Sequence, residues 1–191
     1  MTSLPRIFLY LLCLLQSGCL FIPIVIPISS SGSDQDAKIY IDEAKGRQRV
    51  NEQRKANPPE PFFADWRRSV VNMVNMERQK AGQAPVQEDD ILNGVADERA
   101  KELIVLFSHT RLDGTQWDAI LPLYGIRAGS GGENIAMGTS RSVAGPQKIM
   151  DGWMNSEGHR ANILNRSFSH IGIGIALRGE NVYWVQVFLS P

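Results

Sequence analysis

From Phe62 onward the chain carries two kinds of hydrophobic spacing, one after the other. In SVVNMVNMERQKAG, residues 69–82, Val70, Met73, Val74 and Met76 fall near one face of a helix that Gly82 stops. Asp89 and Asp90 are placed to cap a second helix, ILNGVADERAKELIVLF. Its Ile91, Val95, Ala96, Leu103 and Leu106 recur at helical spacing, and Gly94 weakens it. Trp117 to Leu123 predicts a short apolar helix closed by Pro122 and Gly125, and Gly129 to Gly132 break the chain before ENIAMG. Ser142 to Ser156 predicts a third helix, with Pro146 in its first turns and Ile149, Met150 and Trp153 inward.

The tail changes to a period of two. In HIGIGIALRGENVYWVQVFLS, Ile171, Ile173 and Ile175 alternate with small residues, and Arg178 to Asn181 turn the chain. Tyr183, Val185 and Val187 then alternate against Trp184, Gln186 and Phe188. A strand apolar on both faces is central in its sheet and covered on both sides. The expected architecture is α+β: an α-β-α sandwich around a central short antiparallel sheet.

The residues before Phe62 read differently. MTSLPRIFLYLLCLLQSGC begins with a positive Arg6 and a short apolar run, Ile7 to Leu15. A spanning helix needs roughly 20 apolar residues, so this layout is that of a secretory signal. Ser17-Gly18-Cys19 resembles the lipobox at which bacterial lipoproteins are cleaved and acylated on cysteine, with Gln16 where leucine is usual. Plain cleavage, or an uncleaved anchor through LFIPIVIPI, is the competing reading, although Pro23 and Pro27 interrupt a helix there. A buried methylene contributes about 0.8 kcal/mol, so anchoring through Cys19 calls for several acyl chains. SSSGSDQD is a flexible linker by composition. AKIYIDEAKGRQRVNEQRKANPPEP is dense in both charges and poor in large apolar residues, which predicts a tether or at most a short solvated helix. The expected organisation is a signal with lipobox over 1–19, an apolar then charged linker over 20–61, and one folded domain over 62–191.

Composition narrows the function classes. The chain has 191 residues, 43% hydrophobic and 21% charged, with zero formal net charge and no basic stripe. Nucleic acid is therefore not an expected partner. The two cysteines, Cys13 and Cys19, both lie in the signal region, so the domain has neither a disulfide nor a thiolate zinc site.

Each of the three histidines has a bland reading beside a chemical one. His109, in FSHTRLDG, follows the second helix, where an imidazole complements the helix dipole. His170 precedes a strand and faces solvent. His159 follows Glu157-Gly158, where it caps the next turn or points into a cleft. Glu133, in GSGGENIA, enters a buried segment. An unpaired buried carboxylate is costly, and histidines are its nearest partners in kind. No HExxH helix or G-x-S-x-G elbow is present. Ser108 and Ser156 lie near candidate histidines in sequence, and helix capping accounts for them equally well.

FSHTRLDG, GGENIAMG, WMNSEGHRANIL, FSHIGIGIAL and YWVQVF, in this order and spacing, resemble the CAP superfamily, the SCP domains of cysteine-rich secretory, antigen 5 and pathogenesis-related 1 proteins. The likeness is to the bacterial, disulfide-free branch and covers roughly Ser69 to Ser190. It implies an α-β-α sandwich with a cleft holding two histidines and two glutamates. Carried over by motif, His109, His159 and Glu133 are three of them. The fourth position is Ser156, and Glu157 either supplies the carboxylate from the next position or, rotated by about 100° on a helix, points to solvent. Asn134, Asn162 and Arg160 are expected to fasten the ANIL turn, and Trp153, Trp184 and Phe188 to sit in the core.

Two imidazoles and a carboxylate can hold a divalent ion such as Zn2+, through His109, His159 and Glu133, or can do acid-base work. The expected function is an exported binding module of the bacterial cell envelope, anchored to a membrane through lipidated Cys19 in the outer membrane or periplasm, or else secreted. Lipid, peptidoglycan or protein would be its partners. The alternative is a peptidase-like hydrolase using His109, Glu133 and His159.

Overall fold

The computed structural model describes residues 19–21, 39–140 and 143–190. The expected signal core, the linker through residue 38 and the Ser142 helix start lie outside the described residues. In chain order the elements are β1 (Cys19–Phe21), β2 (Tyr40–Ile41), α1 (Glu43–Ala56), α2 (Phe63–Lys80), β3 (Gln87–Glu88) and α3 (Asp90–Leu103). A 3-10 helix (Trp117–Tyr124) follows, then β4 (Ile126–Arg127), β5 (Ser130–Gly138), α4 (Pro146–Asn155), α5 (Glu157–Leu164), β6 (His170–Arg178) and β7 (Asn181–Ser190).

The main sheet runs β1-β5-β7-β6-β3, so β7 is central, as its two apolar faces require. All its pairs are antiparallel except the short β3–β6 pair. One face packs α1, α3 and the 3-10 helix against Ile135, Val185, Val187 and Leu189. The other packs α2, α4 and α5 against Ala136, Ile173, Trp184 and Phe188. This is the α-β-α sandwich.

Helix α3 lies unusually close to the sheet. A Cβ at Gly172 or Gly174 would collide with the backbone of Leu92 or Ala96. The small residues between the isoleucines of β6 therefore make room for a helix. Two α3 side chains complete the seam: Asn93 Oδ1 accepts from Ile173 N at 2.8 Å and Asp97 Oδ1 from Ile175 N at 3.1 Å. Arg67 of α2 donates to both Asp97 oxygens and to the Ile173 carbonyl. Burial nevertheless pushes the Asp97 carboxyl up, against the pull of Arg67 and the Ile175 N–H.

Four expectations change. Residues 43–56 are not a tether: α1 is capped by Asp42, buries Val50, and lays Gly46 against Ile91. Its inward stripe is only Gly46 and Val50, one turn apart, which is too little for periodicity to detect. Helix α2 begins at Phe63, and Met76 is 55% exposed while Val71 is buried in its place. Helix α3 ends at Leu103, leaving Leu106 43% exposed. Gly131 and Gly132 do not break the chain but lie inside β5, where a Cβ would press on Trp117 and Leu189, or on Asn162.

Candidate functional site

Strand alternation decides which way the GEN segment faces. Ile135 belongs to the α3 side and Ala136 to the opposite side. By the period of two, Glu133 points toward α3 and Asn134 toward α5.

On the α3 side Glu133 meets two partners. His109 Nδ1 lies 2.7 Å from Glu133 Oε2, and Arg99 Nε donates to Glu133 Oε1 at 2.8 Å. A second Arg99 nitrogen, Nη2, donates to the Ser108 carbonyl at 2.8 Å, fixing the loop that carries His109. Arg99 Nη1 pairs with Glu102. All three central side chains are buried: Arg99 0%, Glu133 2% and His109 3% exposed. Burial pulls the Arg99 guanidinium down, and its carboxylates Glu133 and Glu102 more than reverse this, leaving it above the ordinary arginine value. The loop itself is tight. Ser108 Oγ accepts from Thr110 N, Arg111 N donates to Thr115 O, and Gly114 takes a φ of 84° that favours glycine.

Glu133 forms an ion pair with Arg99, and a carboxylate only accepts. His109 Nδ1 is then the donor, and in the neutral imidazole Nε2 carries the lone pair. His109 Nε2 is buried and has no hydrogen-bond partner among the described residues.

On the other side, Asn134 Nδ2 donates to the His159 carbonyl at 3.1 Å and to Gln186 Oε1 at 2.9 Å. Asn162 Nδ2 returns to Asn134 Oδ1 at 2.9 Å and to the Glu133 carbonyl at 3.3 Å. These bonds hold α5, and with it His159, on the strand. His159 is 1% exposed. The structure thus joins His109 to Glu133 directly, and fastens His159 to the next residue of the same strand.

The remaining expected residues behave unequally. Glu157 is exposed at the first position of α5. Ser156 sits at the N-cap of α5 without a side-chain capping bond, and Ser108 bonds within its loop rather than capping a helix. Arg160 donates to the Met154 carbonyl on the surface instead of fastening α5 to the sheet. His170, half-buried, contacts its neighbour Ser169 at 2.9 Å. Trp153, Trp184 and Phe188 are fully buried in the core. A cavity of about 250 Å³ lined by Gln53, Asn57, Asp97, Lys101 and Leu177 lies elsewhere, and none of the candidate residues lines it.

Arg99 is the member that sequence reasoning missed. A signal existed: Val95, Arg99 and Leu103 follow at steps of four, so the arginine interrupts the apolar stripe of α3.

The divalent-ion site expected of His109, His159 and Glu133 does not fit this arrangement. Both Glu133 oxygens already serve Arg99 and His109. Among the described residues no group of three His, Cys, Asp or Glu side chains could hold a metal ion.

Residues 71–188, more than half of the chain, match the CAP family, the cysteine-rich secretory protein family. The chain belongs to it. It is 37% identical over 128 residues to the uncharacterized protein YkwD of Bacillus subtilis, a match covering 65% of this chain and 47% of YkwD. It is 29% identical over 126 residues to the uncharacterized membrane protein YlbC of the same organism, covering 64% of this chain and 34% of YlbC. The match thus spans less than half the length of either relative. Among solved structures, an extracellular SCP-domain protein of Bacillus anthracis superposes with a TM-score of 0.59 at 23% identity, over 71% of this chain and 45% of that one. An outer surface protein of Borrelia burgdorferi superposes at 0.56 and 22% identity, over 63% of this chain and 89% of that one. These likenesses establish the CAP fold.

Proposed function

We propose that this CAP-domain chain is exported by a bacterium, held at the cell envelope through acylated Cys19, and acts there as a binding module. The recognition centre in this reading is His109, held by Glu133 and Arg99, with His159 on the adjoining helix. One observation carries it: His109 Nε2 is buried without a partner among the described residues. An unsatisfied buried polar atom costs about 1–3 kcal/mol, and a site that receives a ligand's hydrogen is a reason to retain it. Export has support in the signal-like start and in the extracellular and outer-surface proteins that share the fold. Among the described residues no helix is long and apolar enough to cross a membrane, and this reading assigns attachment to Cys19.

Two measurements test this. Cells expressing the full chain should hold it acylated in the membrane fraction, and Cys19→Ser should release it. Recovery of the unmodified chain in cytosol overturns the location. Purified chain should co-sediment with envelope fragments, and His109→Leu should lose most of that retention. Equal retention by both overturns the site. The dyad of His109 and Glu133 also has the form of an oriented general base. Equal, background turnover of peptide and ester substrates by wild type and His109→Leu would remove that second reading.

A further inference from the structure

We propose that Arg99 is the built-in cation of this site, filling the electrostatic place of a metal ion and fixing His109 in the tautomer that presents Nε2 as a hydrogen-bond acceptor. The proposal deepens the recognition centre described above and rests on that reading: the group received there is a neutral hydrogen-bond donor, a hydroxyl or amide N–H, rather than a divalent cation.

Geometry leads to this in three steps. Arg99 is fully buried and its three nitrogens are all spent: Nε on Glu133, Nη1 on Glu102 and Nη2 on the Ser108 carbonyl. A guanidinium held by three acceptors from α3, β5 and the His109 loop has no freedom to swing aside for an incoming ion. Its charge sits against the same carboxylate a metal would require, and two cations sharing one buried carboxylate repel strongly at low dielectric. Finally, Glu133 Oε2 is 2.7 Å from His109 Nδ1, so the carboxylate that Arg99 Nε holds in place dictates which ring nitrogen carries the proton. His109 Nε2, buried and without a partner among the described residues, is the atom left for a ligand.

Arg99 is a positioning residue on this account, and its test reads the histidine ring rather than stability. The full chain, labelled with 15N at histidine and held in detergent, is titrated with zinc alone, with His109→Gln identifying the His109 signals. The expected spectrum has a pyrrole-type Nδ1 and a pyridine-type Nε2, neither moved by equimolar zinc. Arg99→Met should lose the tautomer preference, and equimolar zinc should now shift the His109 signals. Should Arg99→Met fail to fold, Arg99→Lys replaces it. It keeps the charge but not the fork, so zinc should still be excluded while the preference weakens.

Wild-type His109 protonated at Nε2, or both ring nitrogens shifted by equimolar zinc, overturns the proposal. So does an Arg99→Met protein that keeps the wild-type tautomer and ignores zinc. Failure to find the chain in the envelope, or to see it retained on envelope fragments, bears on the proposed function and leaves these ring measurements unchanged.

Discussion

Glu133 and Asn134 are neighbours in one strand, yet they bring opposite kinds of polar chemistry to the two faces of the sheet. On the α3 face the groups are charged and form a chain: Arg49, Glu98, Arg111, Glu102, Arg99 and Glu133 alternate in sign. The chain runs from a side chain 35% exposed on α1 to one wholly buried at the strand. On the α5 face the groups beside Asn134 are neutral amides, Asn134, Asn162 and Gln186, all buried and bonded to one another and to the His159 and Glu133 carbonyls. Amides hold position through bond direction and require nothing farther away. The buried Arg99 guanidinium is instead balanced by carboxylates that are themselves paired outward, so the charged face ties the site to a distant helix.

The comparison would break most visibly at its charged end. Glu133→Ala leaves Arg99 with only Glu102 and a carbonyl in the interior, and stability should fall by about 3–5 kcal/mol, read from urea unfolding. A loss below about 1 kcal/mol would mean that Arg99 relaxes into solvent and that the pair organises nothing. On the neutral face, Asn162→Ala removes the donor to Asn134 Oδ1 and to the Glu133 carbonyl. The expected loss is about 1–3 kcal/mol, with the tautomer of His109 unchanged because the α3-side bonds remain. A changed tautomer would show that the two faces are one network after all.

The two faces were also unequally legible in the sequence. Neutral-side residues announce themselves within short motifs: Asn134 follows the glutamate in GEN and Asn162 lies in the ANIL turn, and both fasten that turn as their amides suggest. Helices α2, α3 and α4 and the central strand were visible in hydrophobic period, whereas α1 and α5 were not. His109 and Glu133 were visible as a buried acid in need of a partner. The charged side was hidden because its members come from α1, α3 and the His109 loop, and ion pairs across 34 or 49 residues have no local spacing. Buried arginines are the recoverable part. Arg67, Arg78 and Arg99 each stand three or four residues from a buried valine on an otherwise apolar stripe. Arg78 donates to the carbonyls of Ala84, Ile163, Asn165 and Phe168, and with no carboxylate beside it among the described residues burial holds its guanidinium below the ordinary value. A charge on the inward face of a helix is thus a statement that polar backbone or an acid waits there.

At the outer end of the chain the effects shrink. Glu98→Gln keeps the size of the side chain while removing the charge and turning one of the two oxygens that accept from Arg49, Arg111 and Tyr124 into a donor. Glu98 is about one-fifth exposed, so solvent screens it in part, and the loss should be about 1 kcal/mol. Unfolding at matched pH measures it, and no loss at all would detach α1 from the network. The Tyr124 hydroxyl offers a second readout. Burial, followed by the Glu98 charge, pushes it well above an ordinary tyrosine, and the variant should bring it down.

The finest distinction is a matter of additivity. Glu98→Gln combined with Glu133→Gln alters two ends of one charged chain, so the double variant should depart from the sum of the singles by at least about 0.5 kcal/mol. Glu98→Gln combined with Asn162→Ala alters groups that share no partner, and the sum should hold within about 0.3–0.5 kcal/mol. The backbone joins Glu133 to Asn134, the partner of Asn162, so coupling carried through the strand would appear in both cycles. Coupling confined to the first cycle would show that the sheet separates two networks which the backbone joins.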